Sequence, residues 1–321
     1  MFFRIKLVGI FLGAVIVLLL AVQLLFLSPI SEAITDRVQE RVQASAASVA
    51  VTARMEILSV RMLAAEAASE MRVISAMQEA CGTDRDCRER KSQRVRSALE
   101  VWYRSLTADI ERNTTRSRGS RDWRATFSHP PALLMVAAPD GTVVGRAIGD
   151  TADWWGDSAP NLSFEPCPDD PETPCPRFPV VTAGLERVSH DVIGWREGGG
   201  SSEVEELHIV AAAPIVAPGQ TQALGVLLVG FPIDDPSADD NLAITGGMDV
   251  VYTLGTSVQA ATLDGAQLSA LRDATFTSTS GSEPKTYSEY LGSDTTVGAV
   301  YRVNTSSGDY YVTRGVYPPD R

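Results

Sequence analysis

The chain has 321 residues, 44% hydrophobic and 21% charged, a composition that excludes disorder and allows one large or two ordinary domains with real cores. Its net charge of −12 is unevenly placed: through residue 125 there are 19 Lys and Arg against 14 Asp and Glu, and after it 9 against 26. The acidic second half repels phosphates, and the basic stretch from Arg85 to Arg124 has no aromatic ladder beyond Trp102, Tyr103 and Trp123, which excludes nucleic acid as a partner.

Residues 1–6 read as a cytoplasmic tail, because Arg4 and Lys6 precede an uncharged run, LVGIFLGAVIVLLLAVQLLFL, from Leu7 to Leu27. That run is long enough to cross a hydrocarbon core of roughly 30 Å, so the expectation is a single inner-membrane span with everything from Ser28 onward exported. A cleaved signal peptide ending near Ser31-Glu32-Ala33 is the competing reading; the apolar run is longer than a secretory core, which favours the anchor.

Residues 28–125 are expected to form a helical stalk and hairpin. From Ile30 to about Met77 there is no proline, and Ile34, Val38, Val42, Val49, Met55, Leu58 and Met62 recur at helical steps. This stripe is too narrow for a core of its own and is expected to meet a twin copy, giving a homodimer, or the following helix. Cys81-Gly82 to Cys87 marks a turn, and Arg88 to about Glu111 gives a second helix with Val95, Leu99, Trp102, Leu106 and Ile110 on one side. The cysteines fall into two close pairs on the exported side, so disulfides Cys81–Cys87 and Cys167–Cys175 are expected; the spacings do not suit zinc.

After residue 125 the period becomes strand-like. Ala132 to Ala138, then Pro139-Asp140-Gly141, then Thr142 to Ala147 reads as a β-hairpin. Asp150 to Pro179 is mostly loop, and a short helix follows near Val180 to Val188. Strands are expected at Asp191–Trp195, Glu206–Val216 and Gln222–Ile233. The triplet Gly198-Gly199-Gly200 lacks a following Lys-Ser/Thr and is read as a turn, not a phosphate loop. A helix from Pro236 to Thr245, two strands around MDVVYTLG and TSVQAATL, a helix from Asp264 to Arg272 and strands near Tyr287–Leu291, Val297–Val303 and Tyr310–Val316 complete the chain.

The order of two strands, an excursion and three antiparallel strands is PAS-like. Through LLMVAAPDGTVVGRA from Leu133 to Ala147 and ALGVLLVGFPIDD from Ala223 to Asp235, the chain resembles the extracellular Cache sensor family. The resemblance implies an α+β, double Cache-like architecture on a membrane-anchored helix, with a membrane-distal PAS-like unit at 126–235 and a smaller membrane-proximal one at 236–321. It departs from the family in stopping at Tyr317-Pro318-Pro319-Asp320-Arg321 without a second span or output domain.

Catalytic chemistry is not apparent. The three histidines, His129, His190 and His208, have no metal or general-base spacing, and there is no G-x-S-x-G elbow. Asp234-Asp235 and Asp239-Asp240 flank an expected helix start, where acids favour capping. A ligand site is the stronger expectation. Ala211-Ala212-Ala213 with Gly225 and Gly230 either leave a recess on the sheet or admit a closely packed helix. Arg146 is a candidate carboxylate anchor, with Trp154, Trp155 and Asp157 over the sheet beside Asp153, and His208 facing the same space. The function expected is a sensor region of a signal-transduction protein that binds a small, anionic molecule without transforming it and needs no cofactor. The alternative is a membrane-anchored envelope scaffold whose PAS-like units bind protein.

Overall fold

The computed structural model describes residues 28–82, 84–115, 127, 129–147, 164–167, 170–176, 178–195, 206–254, 257–272, 275–278, 283–287, 295–305 and 308–313. The span expected at 7–27 lies outside them, and among the described residues no helix is long and apolar enough to cross a membrane. The architecture is α+β, with a long N-terminal helix and an antiparallel sheet. The chain divides into two compact units: Ala50–Ala243 with Asp249–Leu263 and Val316–Arg321, and Met1–Val49 with Ile244–Met248 and Asp264–Gly315.

Helix α1, Ser28–Ala68, contributes residues to both units. Pro29 falls in its first turn, where a missing N–H costs nothing, and no further proline or glycine interrupts it. The uninterrupted helix expected to Met77 is corrected by the structure: it ends at Ala68, and a short helix α2, Met71–Met77, follows. The break has a local cause. The Ser69 hydroxyl donates to the Glu66 carbonyl at 2.7 Å, and Glu70 is extended.

Helix α3, Arg85–Thr115, begins where the Asp84 carboxylate accepts from the amides of Asp86 and Cys87. Cys81 and Cys87 form a disulfide, Cα to Cα 5.3 Å, as expected from their proximity. Lys91 reaches back from α3 and donates to the carbonyls of Met77 and Glu79, both at 2.9 Å, satisfying acceptors after α2 that its own helix cannot. Burial pushes the Lys91 amine below its ordinary pKa, a shift opposed by the Glu79 carboxylate.

The sheet of the larger unit has five strands in the order β2-β1-β7-β6-β5, formed by β1, Leu133–Ala137; β2, Val143–Arg146; β5, Ser189–Trp195; β6, Glu206–Val216; and β7, Ala223–Pro232. The β1–β2 connection matches the expected turn. Gly141 has φ +85°, the Thr142 amide donates to the Asp140 carboxylate at 2.9 Å, and the Ala138 amide donates to the Thr142 carbonyl at 2.8 Å. Strands β3, Phe164–Cys167, and β4, Asp170–Pro176, pair where the sequence suggested loop. Prolines, which lack a ladder donor, are tolerated there because a two-stranded ribbon consists of edges.

Both faces of the five-stranded sheet are covered. Leu134, Val136, Leu207, Ile209, Ala211, Leu227, Val229 and Phe231 join Val60, Leu63, Ala64 and Ala67 of α1, Val73 and Ile74 of α2, and Val95, Leu99, Leu106 and Ile110 of α3. On the other face Leu133, Met135, Ala137, Val210, Ala212, Val226 and Leu228 meet Val180 and Val181 of helix α4, Pro179–Glu186. The α3 stripe is the one expected. The α1 stripe is not: Ile57, Val60, Leu63, Ala64 and Ala67 are buried, while Met55, Leu58 and Met62 are exposed. The periodicity picked out a real apolar stripe, but a different face of the same helix carries the core.

The small residues of the sheet do not leave a recess; they admit close packing. A Cβ at Gly184 of α4 would fall 2.5 Å from the Ala212 Cβ and 2.7 Å from Val226 Cγ2, and one at Gly225 would fall 2.4 Å from the Ala137 carbonyl oxygen and 2.7 Å from Met77 Cε. Gly230 is likewise closed over by Leu133 and Val210.

Helix α5, Asp235–Ile244, starts with an Asp234 cap: its carboxylate accepts from the Ser237 amide at 3.1 Å and from the Ser237 hydroxyl at 2.7 Å. The Asp235 carboxylate accepts from the Ala261 amide at 3.0 Å. The strands β8, Val251–Leu254, and β9, Ser257–Ala261, form a hairpin in the same unit. In the smaller unit, α6, Gly265–Arg272, accompanies a sheet of β10, Thr275–Ser278; β13, Val300–Thr305; and β14, Gly308–Thr313, with β11, Lys285–Tyr287, paired to β12, Thr295–Val297. Of the strand expected at Tyr287–Leu291, Tyr287 lies in β11, and residues 288–291 lie outside the described residues. Gln43 of α1 donates to the Glu283 carbonyl at 2.8 Å within this unit.

The approach at Gly184 yields a test. Gly184→Ala is expected to cost about 1–3 kcal/mol through overpacking, whereas Gly265→Ala, whose Cβ would meet nothing within 4 Å, is expected to be neutral or slightly stabilising. Chemical denaturation of the two variants checks this; equal midpoints would contradict it.

Candidate functional site

Strand alternation decides which candidate residues share a face. Gly145 looks toward α3, where a Cβ would lie 2.9 Å from Val95 Cγ1, so Arg146 looks the other way; it is in register with Met135 of the α4-covered cluster. His208 is in register with Ile193, a member of that cluster, while its neighbours Leu207 and Ile209 belong to the other. Arg146 and His208 therefore lie on one face. Both are buried, at 4% and 3% exposure.

His190 is in register with Ala211 and belongs to the opposite face. Ser189 and Asp191, in register with Ala212 and Val210, join Arg146 and His208. Sequence reasoning passed over them, although Ser189-x-Asp191-x-Ile193 already alternates. The Asp191 carboxylate accepts from the Val192 amide at 2.8 Å. Trp154, Trp155 and Asp157 lie outside the described residues, as do the side chains of Cys167 and Cys175.

A second feature has no counterpart in the sequence expectations. On the side covered by α1, α2 and α3, a cleft of about 50 Å³ is lined by Val60, Ile209 and Ile233 together with Phe127, Phe231 and Tyr252. Phe127 and Phe231 stack at 4.1 Å between ring centroids, with 12° between planes. Glu56 of α1 and Asp240 of α5 bring carboxylates to the cleft, and His129 sits with Nε2 3.9 Å from Asp234 Oδ1. Asn241, 2% exposed, donates from Nδ2 to the Tyr252 hydroxyl at 2.8 Å and to the Ser237 carbonyl at 3.0 Å. Burial, reinforced by the Glu56 carboxylate, pushes the Tyr252 phenol well above its ordinary pKa of 10.0. Phe127, Phe231 and Tyr252 come from distant segments, and no local pattern links them.

Among the described residues, one group of metal-ligating side chains converges, Glu79 with Cys81 and Cys87, and there both sulfurs are committed to the disulfide. No family model and no curated protein matches the chain. Among solved structures it is similar to the periplasmic domain of LuxQ from Vibrio cholerae, at 10% identity and TM-score 0.46, over 86% of this chain and 100% of that one. It is also similar to the ligand-binding domain of the Campylobacter jejuni chemoreceptor Tlp3 in complex with 4-methylisoleucine, at 10% identity and TM-score 0.40, over 88% and 91%. At these identities and TM-scores neither a residue role nor a family is carried over to this chain.

The raised Tyr252 pKa has a measurable sign. The folded state holds a proton that the unfolded state releases near pH 10, so Tyr252 contributes stability that is complete below that pH and falls away above it. Spectrophotometric titration of tyrosine should show one group ionising later than the rest, and Tyr252→Phe should remove that group and flatten the alkaline fall in stability. A full complement of tyrosines ionising together in the folded protein would contradict it.

Proposed function

We propose that this chain is the extracytoplasmic sensor region of a signal-transduction protein, binding a small anionic molecule on the α4-covered face of the five-stranded sheet. The observation that carries the reading is Arg146. Arg146 is buried to 4% exposure on the α4-covered face, which it shares with Ser189, Asp191 and His208. Arg146 suits a carboxylate because its planar fork can donate two parallel hydrogen bonds. Trp154, Trp155 and Asp157 are proposed to complete the site, with Ser189 and Asp191 beside it.

In this reading residues 7–27 anchor the chain, with the short tail at 1–6 in the cytoplasm, 28–125 forming stalk and hairpin, and 126–235 and 236–321 forming the two PAS-like units of a double Cache arrangement. The ligand is bound and left chemically unchanged. Signalling requires it to bind one of two conformations more tightly, so that occupancy shifts their populations. The exposed Met55, Leu58 and Met62 on α1 are proposed as a homodimer contact, since their i, i+3, i+7 spacing forms one apolar stripe.

Two experiments test these proposals. A thermal-shift screen of carboxylates, amino acids and organic phosphates should find an anion that stabilises the chain, by about 2.7 kcal/mol at a hundred times its dissociation constant. Arg146→Gln should abolish that shift and His208→Gln should weaken it; an anion whose shift survives both changes would refute the site, and no hit in the screen would favour the scaffold reading. Separately, Leu58→Glu with Met62→Glu should convert a dimer to monomer in sedimentation of the detergent-solubilised chain, and identical oligomeric states before and after substitution would exclude that stripe.

A further inference from the structure

The cleft of Phe127, Phe231 and Tyr252 is independent of the Arg146 face, because Ile209 and Phe231 belong to the side of the sheet covered by α1, α2 and α3. Phe127, Phe231 and Tyr252 line it with Glu56, Asp240 and His129, whose Nε2 stands 3.9 Å from Asp234 Oδ1; no lysine or arginine lines it among the described residues. Aromatic faces attract cations through their quadrupoles, and carboxylates add direct attraction, so the two kinds of wall select the same sign of charge. The surrounding sequence strengthens that selection: after residue 125, acids outnumber bases by 26 to 9.

Volume narrows the class further. A water molecule needs at least roughly 10–15 Å³ of such space, so about 50 Å³ has room for a small head group. A divalent metal ion is disfavoured, because no set of three metal-ligating atoms converges here among the described residues. The apolar lining residues Val60, Ile209 and Ile233 instead suit methyl or methylene groups on a nitrogen.

We infer that this cleft is a binding site for an organic ammonium head group, a primary alkylamine or a quaternary amine, held between the Phe127, Phe231 and Tyr252 rings and the Glu56 and Asp240 carboxylates. The rest of such a ligand extends out of the cleft. The site is separate from the anion site proposed above and stands if that one fails.

The test is ligand-observed saturation-transfer NMR on the full chain in detergent micelles, with tetramethylammonium as probe and tert-butanol as a neutral probe of similar shape. Tetramethylammonium is expected to bind saturably and roughly fivefold more tightly than tert-butanol. Asp240→Asn, at an exposed position that tolerates change, should weaken tetramethylammonium roughly threefold while leaving tert-butanol unaffected. Phe231→Leu should weaken both, and circular dichroism checks that each variant is folded. Absence of saturable binding, equal affinity for the two probes, or an affinity unaltered by Asp240→Asn in a folded variant would each overturn the inference.

Discussion

Burial of the central strands on both faces is the constraint from which the larger unit follows. Leu133 to Ala137 of β1 are all buried, and so is most of β7, because α1, α2 and α3 cover one side of the sheet and α4 the other. Such strands must be apolar in every position, without the polar alternation of a half-exposed sheet. Residues that break this rule are therefore conspicuous. Arg146, His190 and His208 are buried in this sheet, and two of the three share a face. The same constraint explains the glycines: with a layer on each side, the backbone at Gly184 and Gly225 comes too near its neighbours for any side chain.

The parts of this fold that were legible in the sequence are those set by local chemistry. Asp140-Gly141 marks a hairpin because a left-handed glycine and a side-chain acceptor are needed within four residues, and both are visible there. The spacing of Val95, Leu99, Leu106 and Ile110 reveals the buried side of α3 because no other apolar stripe competes on that helix. On α1 two stripes compete, and only tertiary contact decides that Ile57, Val60, Leu63 and Ala64 face the core. The break at Ser69 and Glu70 was hidden because neither residue is a strong helix breaker; the extended Glu70 is a tertiary outcome.

The candidate sites divide the same way. That Arg146 and His208 share a face could be read from the alternation of two strands, whereas their burial depends on a helix placed above them. The aromatic cleft was invisible for a different reason. Its walls come from Phe127, from the end of β7 and from β8, segments separated by about a hundred residues and some twenty, and sequence period carries no information over such gaps. The two proposed sites lie on opposite faces of one sheet and call for ligands of opposite charge.

The exposed stripe on α1 also has a chemical consequence. Met55 and Met62 flank Leu58, and Met71 stands exposed at the start of α2. A thioether at the surface accepts an oxygen atom from peroxide to become a sulfoxide, which is polar and chiral where the parent was apolar. Oxidation would thus erase the hydrophobic character of this surface without touching the core, where Met77 and Met135 are buried, and a methionine sulfoxide reductase would restore it. An apolar contact built on methionine is in this way reversible by oxidants in a manner that one built on leucine or valine is not.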